Sequence, residues 1–180
     1  MSKKILFGIT GGIAAYKSIE LINTLQKDGH QVKVIATSMG LKFVTTLTLQ
    51  TISKNTVFTD EFEIKESNLA HIELSKWADL VIIAPATANT LAKLANGLAD
   101  NLLTTSILAL PTKTPIYIAP AMNTRMWDNP LTQDNLEKLQ KFYSNLTLIP
   151  PRESILACGE QGIGAMANPG DIYNILKGYL

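Results

Sequence analysis

The segment Pro120-Ala121-Met122-Asn123-Thr124-Arg125-Met126-Trp127 sets an amide and a guanidinium among bulky apolar side chains. It follows Pro115-Ile116-Tyr117-Ile118-Ala119, which reads as a buried strand. A core helix has uses for two Met and a Trp, but none for a Pro-x-Met-Asn opening. The single cysteine arrives later, in Ala157-Cys158-Gly159-Glu160. Together these residues point to a substrate clamp and a reactive thiol meeting at one site. The Asn123 amide can bond a substrate carboxylate without a charge that would trap it there, although Asn is also a favoured helix N-cap. Arg125 suits a carboxylate or phosphate, or simply the surface. Met122, Met126 and Trp127 suit a pocket wall that excludes water. A lone cysteine is more often a small buried hydrophobe than a catalyst. The glycines after Cys158, however, read as a mobile flap able to close over substrate.

The elements that must position these residues alternate along the chain. Lys4 to Ile9, Gln31 to Ala36, Asp79 to Ala84, Thr114 to Ala119 and Leu146 to Ile149 read as strands. Helices are expected from the Gly11-Gly12 turn to Asp28-Gly29, over Ser38 to Thr51, from about Leu69 to Trp77, and over Ala86 to Leu94. Further helices are expected over Asn101 to Leu108, Pro130 to Phe142 and Asp171 to Leu176. Residues 54 to 69 are polar and irregular, and 150 to 169 read as loop. The pattern predicts one α/β domain over residues 1–180, a doubly wound (Rossmann-like, flavodoxin-like) parallel sheet with helices on both faces. Ligands of such sheets bind beyond the carboxyl ends of the strands. Every unusual motif of this chain lies at such an end.

Composition narrows the function classes. The 180 residues are 46% hydrophobic and 17% charged, with a net charge of +1. That balance gives no electrostatic case for nucleic acid or an anionic membrane. No stretch approaches the roughly 18 apolar residues of a membrane span. One cysteine excludes an internal disulfide framework and fits a reducing compartment, so a cytoplasmic enzyme or binding protein is expected. No residue is assigned to a metal.

The turn Gly8-Ile9-Thr10-Gly11-Gly12 lacks G-x-G-x-x-G spacing, and Tyr16 stands where a P-loop has glycine before its lysine. What remains is a helix N-terminus with free amides able to hold a phosphate. Hydroxyls at Thr10, Ser38 and Thr87 sit at neighbouring strand ends. Each alone is an ordinary cap or turn; three together favour a mononucleotide with one terminal phosphate.

With Gly11-Gly12-Ile13-Ala14-Ala15-Tyr16-Lys17, His71-Ile72-Glu73-Leu74, Pro85 to Thr90, Pro120 to Trp127 and Ala157-Cys158-Gly159-Glu160, the chain resembles the flavin-containing cysteine decarboxylases over nearly its whole length. The resemblance implies bound FMN and loss of CO2 from 4′-phospho-N-pantothenoylcysteine, a phosphorylated small molecule on the way to coenzyme A. Oxidising the substrate thiol to a thioaldehyde creates an electron sink; CO2 loss gives an enethiolate, which is then reduced. The flavin ends oxidised. By the same resemblance His71 serves the oxidation and decarboxylation steps, its imidazole suited to proton transfer near neutrality, and Cys158 donates a proton in the reduction. Asn123, Met122, Arg125, Ala157, Gly159 and Glu160 are assigned to substrate. Gly11, Gly12, Ile13, Ala14, Ser38, Pro85, Ala86, Thr87, Asn89, Thr90, Asp100 and Met126 are assigned to FMN. Asp100 either caps the helix that follows it or reaches the flavin across a subunit boundary.

The family builds trimers, sometimes dodecamers, with flavin at subunit contacts, so a homo-oligomer is expected. In many bacteria the domain resembles the first half of a bifunctional synthetase–decarboxylase; this chain resembles either a stand-alone enzyme or such a half. Two positions depart from the family pattern: Gly12 and Thr87 stand where Ser is common. The alternatives are an oxidative decarboxylase of C-terminal peptide cysteine, a prenyl-flavin synthase, and a non-enzymatic flavin-binding regulatory subunit. The complete Cys158 motif disfavours the first, the Pro120 to Trp127 segment the second, and the presence of both His71 and Cys158 the third.

Overall fold

The computed structural model describes residues 2–59 and 69–180. Strand β1 (Lys4–Ile9) leads through a glycine turn into helix α1 (Ala15–Lys27), then β2 (Gln31–Ala36), α2 (Thr46–Ser53) and the two-residue β3 (Val57–Phe58). After the undescribed stretch come α3 (Ala70–Trp77), β4 (Leu80–Ala86), α4 (Ala88–Ala95) and α5 (Leu102–Leu108). The chain continues through β5 (Ile116–Pro120), the one-turn α6 (Thr124–Trp127), α7 (Pro130–Phe142) and β6 (Leu146–Leu148). A hairpin of β7 (Arg152–Ile155) and β8 (Gln161–Ala165) precedes α8 (Pro169–Leu176). The first six strands form one sheet in the order β3-β2-β1-β4-β5-β6, and every neighbouring pair is parallel. This is the doubly wound arrangement, with its switch point between β1 and β4.

The strands are continuous apolar runs because both faces are covered. Their side chains divide between two cores with the strand period of two. Ile5, Phe7 and Ile9 of β1, with Leu80, Ile82 and Ala84 of β4, join the core under α1 and α8. Leu6, Val81 and Ile83 join the opposite core, under α3, α4, α5 and α7. Small residues let the layers close. A Cβ on Gly8 would stand 2.7 Å from Leu103. Ser18 reaches from α1 to donate to the Ala84 carbonyl at 2.6 Å, a polar tie inside the first core.

Apart from shifts of one or two residues at element ends, such as Ala86 closing β4 rather than opening α4, and the added single turn α6, the sequence reading differs from the structure in four places. The stretch 38 to 51 is not one helix. Residues Gly40–Lys42 make a 3-10 turn, and Thr45 then caps α2 by accepting the Thr48 amide. The cause is packing: a Cβ on Gly40 would lie 2.8 Å from the Ile9 carbonyl oxygen, so the chain is pinned to the end of β1 before α2 can start. Residues 57–58, within a stretch read as irregular, pair with Val34 and Ile35 as the sheet edge; residues 60–68 of that stretch lie outside the described residues. Helix α1 begins at Ala15 rather than at the glycines.

The fourth difference matters most. The segment read as loop contains an antiparallel hairpin, with Arg152 opposite Ala165 and Ile155 opposite Gln161. Its glycines serve close approach. The Met122 amide donates to the Gly164 carbonyl at 2.9 Å, and a side chain on Gly164 would collide with the Met122 carbonyl. One on Gly162 would collide with the Thr124 hydroxyl. Gly159, at the tip, is needed for its positive φ of 85°. Gly164→Ala must therefore push β8 off the 122–124 segment. Native-state hydrogen exchange of this variant should show the Met122 amide and the hairpin amides losing protection, while β1 and β4 keep theirs. Unchanged protection at Met122 would refute the docking role.

Candidate active site

The carboxyl ends of β1, β2, β4 and β5 open into one cavity of about 1190 Å³. A single small ligand occupies roughly 300–1,000 Å³, so this space suits a cofactor and a substrate together. Its floor is held by Thr10, which is 1% exposed. The Thr10 hydroxyl donates to the Pro85 carbonyl at 2.7 Å and accepts the Thr87 amide at 3.1 Å, joining the ends of β1 and β4. Its one O–H is committed to Pro85, which corrects its reading as a phosphate donor. The Thr87 hydroxyl accepts the Thr90 amide at 3.3 Å as the N-cap of α4, and Ser38 lines the cavity from an exposed position.

The glycine turn forms one wall. A Cβ on Gly11 would stand 2.5 Å from the Met39 Cβ, so that position must stay bare. Gly12 has nothing within 4 Å, and a larger residue would fit there. Among the described residues, no acceptor receives the amides of Gly12, Ile13 and Ala14. Three unused N–H groups ahead of a thirteen-residue helix suit a phosphate. Asn89 and Thr90 of α4, Met122, Asn123 and Met126 after β5, and Ala157 and Cys158 at the hairpin tip complete the expected lining.

Cys158 reaches the cavity because of the hairpin turn. The Gly159 amide donates to the Leu156 carbonyl and the Leu156 amide to the Glu160 carbonyl, both at 2.8 Å, and the thiol projects from the tip, exposed. Asn123 meets it: its amide nitrogen donates to Sγ at 3.3 Å while its oxygen accepts the Arg125 amide at 2.8 Å as the cap of α6. Asn123 is thus both cap and thiol partner. Arg125 does not line the cavity; its guanidinium pairs with Glu160 at 2.9 Å. The carboxylate expected for Arg125 is therefore one from its own chain, and the pair straps the hairpin tip to α6. The other Glu160 oxygen lies 3.9 Å from Sγ as acceptor.

Several expected residues stand elsewhere. Pro85 and Ala86 are buried beneath the floor, and Gly159 and Glu160 lie outside the lining. Asp100 is at the rim, where hydrogen bonding from Lys93 at 2.6 Å holds its carboxyl below the usual range. The cap of α5 is Asn101, which accepts the Thr104 amide, while Asp100, one residue earlier, is taken by Lys93. His71 is half-buried near the start of α3 and does not line the cavity of its own chain. Lining residues that the sequence reading missed include Tyr16, Lys17, Thr37, Met39, Arg152 and Ser154. Lys17 carried a signal as the cation of the glycine-turn motif and Arg152 as a cation soon after a predicted strand end; the others needed the fold.

Over 169 residues the chain is 47% identical to a probable phosphopantothenoylcysteine decarboxylase of Streptococcus mutans, covering 93% of each. A solved PPC decarboxylase, a cysteine-to-serine variant in complex with pantothenoylaminoethenethiol, superposes with a TM-score of 0.90 at 39% identity over 99% of this chain and 98% of that one. The FMN-binding protein AtHal3 superposes with a TM-score of 0.88 at 40% identity over 99% of this chain and 97% of that one. The chain also matches bifunctional coenzyme A biosynthesis proteins, of which it spans 44% of the length. The flavoprotein family model matches residues 1–180. The chain belongs to the flavoprotein family.

Proposed function

We propose that the chain is a single flavoprotein domain that binds FMN and decarboxylates 4′-phospho-N-pantothenoylcysteine to 4′-phosphopantetheine. The observation that carries this reading is the 3.3 Å contact of Asn123 with Cys158 at the mouth of the cavity. It sets a carboxylate-binding amide beside a proton-bearing thiol, in the same cavity as an amide turn suited to the cofactor's phosphate. FMN supplies reversible two-electron chemistry when bound. Gly11 to Ala14 would hold its phosphate, and the segments after β4 and β5 would flank it.

The protein groups divide the remaining work. Asn123 holds the substrate carboxylate by neutral hydrogen bonds, so that losing CO2 breaks no ion pair. The substrate's own thiol is first oxidised to a thioaldehyde, its hydride being the electron pair that bound FMN would take up, and His71 takes the S–H proton. CO2 then leaves to give the enethiolate. Cys158 protonates carbon in the reduction that follows, and its thiolate recovers the proton from solvent at the exposed tip. No external oxidant is consumed. We place the reaction in the cytoplasm, in keeping with the free, exposed thiol. Among the described residues no helix is long and apolar enough to cross a membrane.

His71 acts in this scheme from a neighbouring copy. Ile13, Met39 and Met126 stand 58%, 55% and 49% exposed around the cavity mouth, and Leu69 and Leu108 are exposed near α3 and α5. Two such surfaces on one chain can meet head-to-tail and close a ring, a trimer, and trimers can assemble further into a dodecamer. The ring would carry one copy's His71 to the next copy's cavity.

Purified holoenzyme given the substrate should lose CO2 alone, with no oxidant, and release the pantetheine product. Cys158→Ser should stop at the enethiol, having lost CO2 and two hydrogens, with turnover dependent on air. A Cys158→Ser enzyme that still makes the fully reduced product would remove Cys158 from the scheme. Co-expressed His71→Asn and Cys158→Ser chains should recover about a quarter of wild-type activity, since mixed rings assemble intact sites across their boundaries. No recovery from a confirmed mixed oligomer would place both residues of a site in one copy.

A further inference from the structure

Lys17 and Arg152 are two cations in the cavity wall that the scheme above leaves idle. Lys17 lies on the first turn of α1 and Arg152 at the base of the hairpin, and both line the cavity. Among the described residues neither forms an ion pair. The Arg152 Nε is buried and has no hydrogen-bond partner among them. A buried guanidinium nitrogen without an acceptor is costly, and such groups ordinarily bind something. Its placement is specific. The register of the hairpin shifts between Arg152 and Glu153, and the residue opposite Arg152 is the small Ala165. Partial burial, and next the Arg152 charge, hold the Lys17 ammonium below the usual lysine range. Two like charges facing one cavity are relieved by an anion of two charges between them.

We infer that Lys17 and Arg152 seat the phosphate of the substrate. The inference rests on the proposed decarboxylation. The substrate is a long arm with its thiol at one end and its phosphate at the other. Its thiol end belongs with Cys158 at the hairpin tip. From there β7 runs back to Arg152; its own length is about 10 Å, at roughly 3.3 Å per residue, with the turn adding to it. The hairpin therefore offers both ends of the arm a partner along one edge of the cavity. The planar fork of Arg152 suits two phosphate oxygens at once, and Lys17 adds a point charge.

The test compares the phosphorylated substrate with its dephosphorylated counterpart on FMN-loaded enzyme. In the wild type the phosphate should raise kcat/KM. In Arg152→Ala that advantage should fall by about tenfold or more, and Arg152→Lys should restore part of it. Calorimetry should show the same loss in the preference of holoenzyme for 4′-phosphopantothenate over pantothenate. An unchanged preference in Arg152→Ala overturns the inference. So does a preference that holds while retention of FMN over riboflavin collapses, because the pair would then serve the flavin phosphate. A wild type that turns over both substrates equally overturns this inference and leaves the decarboxylation standing; one that turns over neither overturns both.

Discussion

The structure depends on the junction where β1 and β4 diverge. Two adjacent parallel strands whose connections leave in opposite directions open a crevice at their carboxyl ends. The crevice is held to shape by one hydroxyl, that of Thr10, which donates to Pro85 and accepts from Thr87. The Thr10–Pro85 bond is buried, and without it both groups would sit unsatisfied in an apolar layer. The floor sets where α1 and α4 begin, and both helices then aim their N-terminal turns at one cavity. The β5 end and the hairpin complete that cavity from the other side.

Legibility in the sequence followed the physics. The sheet was readable because strands buried on both faces are runs such as Leu80 to Ala84, set apart by glycine and cap residues. The edge strand at Val57 and Phe58 was not, since two residues carry no period. The β7–β8 hairpin was misread because its sequence is rich in glycine, and glycine marks turns far more often than close packing. Gly162 and Gly164 are bare because Thr124 and Met122 press against them, a constraint visible only when both segments are in place. In the same way the Asn123 motif was recognisable by its residue types, whereas its bond to Cys158 joins positions 35 apart in sequence.

The docked hairpin changes how the thiol is presented. A free loop would have to order itself around each substrate, at a cost of about 1–2 kcal/mol per residue fixed. Here the strand bases are already tied to the core segment by the Met122–Gly164 bond, and the Arg125–Glu160 pair straps the tip. That pair is exposed, with the arginine side chain 83% accessible. An exposed pair contributes about 0–1 kcal/mol. It can open and close easily, so the hairpin combines a fixed base with a tip that yields.

The same reasoning separates two ways of binding an anion in one cavity. Backbone amides at Gly12, Ile13 and Ala14 are fixed by the turn, cost no side-chain entropy and cannot move away. They suit a group that stays through many turnovers. Lys17 and Arg152 are long side chains that lose rotamer freedom on binding and regain it on release. They suit a group that must arrive and leave in every cycle. If the two sites exchanged ligands, the cofactor would be held by the mobile groups and the product by the rigid ones. Release would slow while flavin leaked. Under the proposed assignment, rigid donors at the end of β1 with flexible cations on α1 and the hairpin would keep a cofactor and free a product.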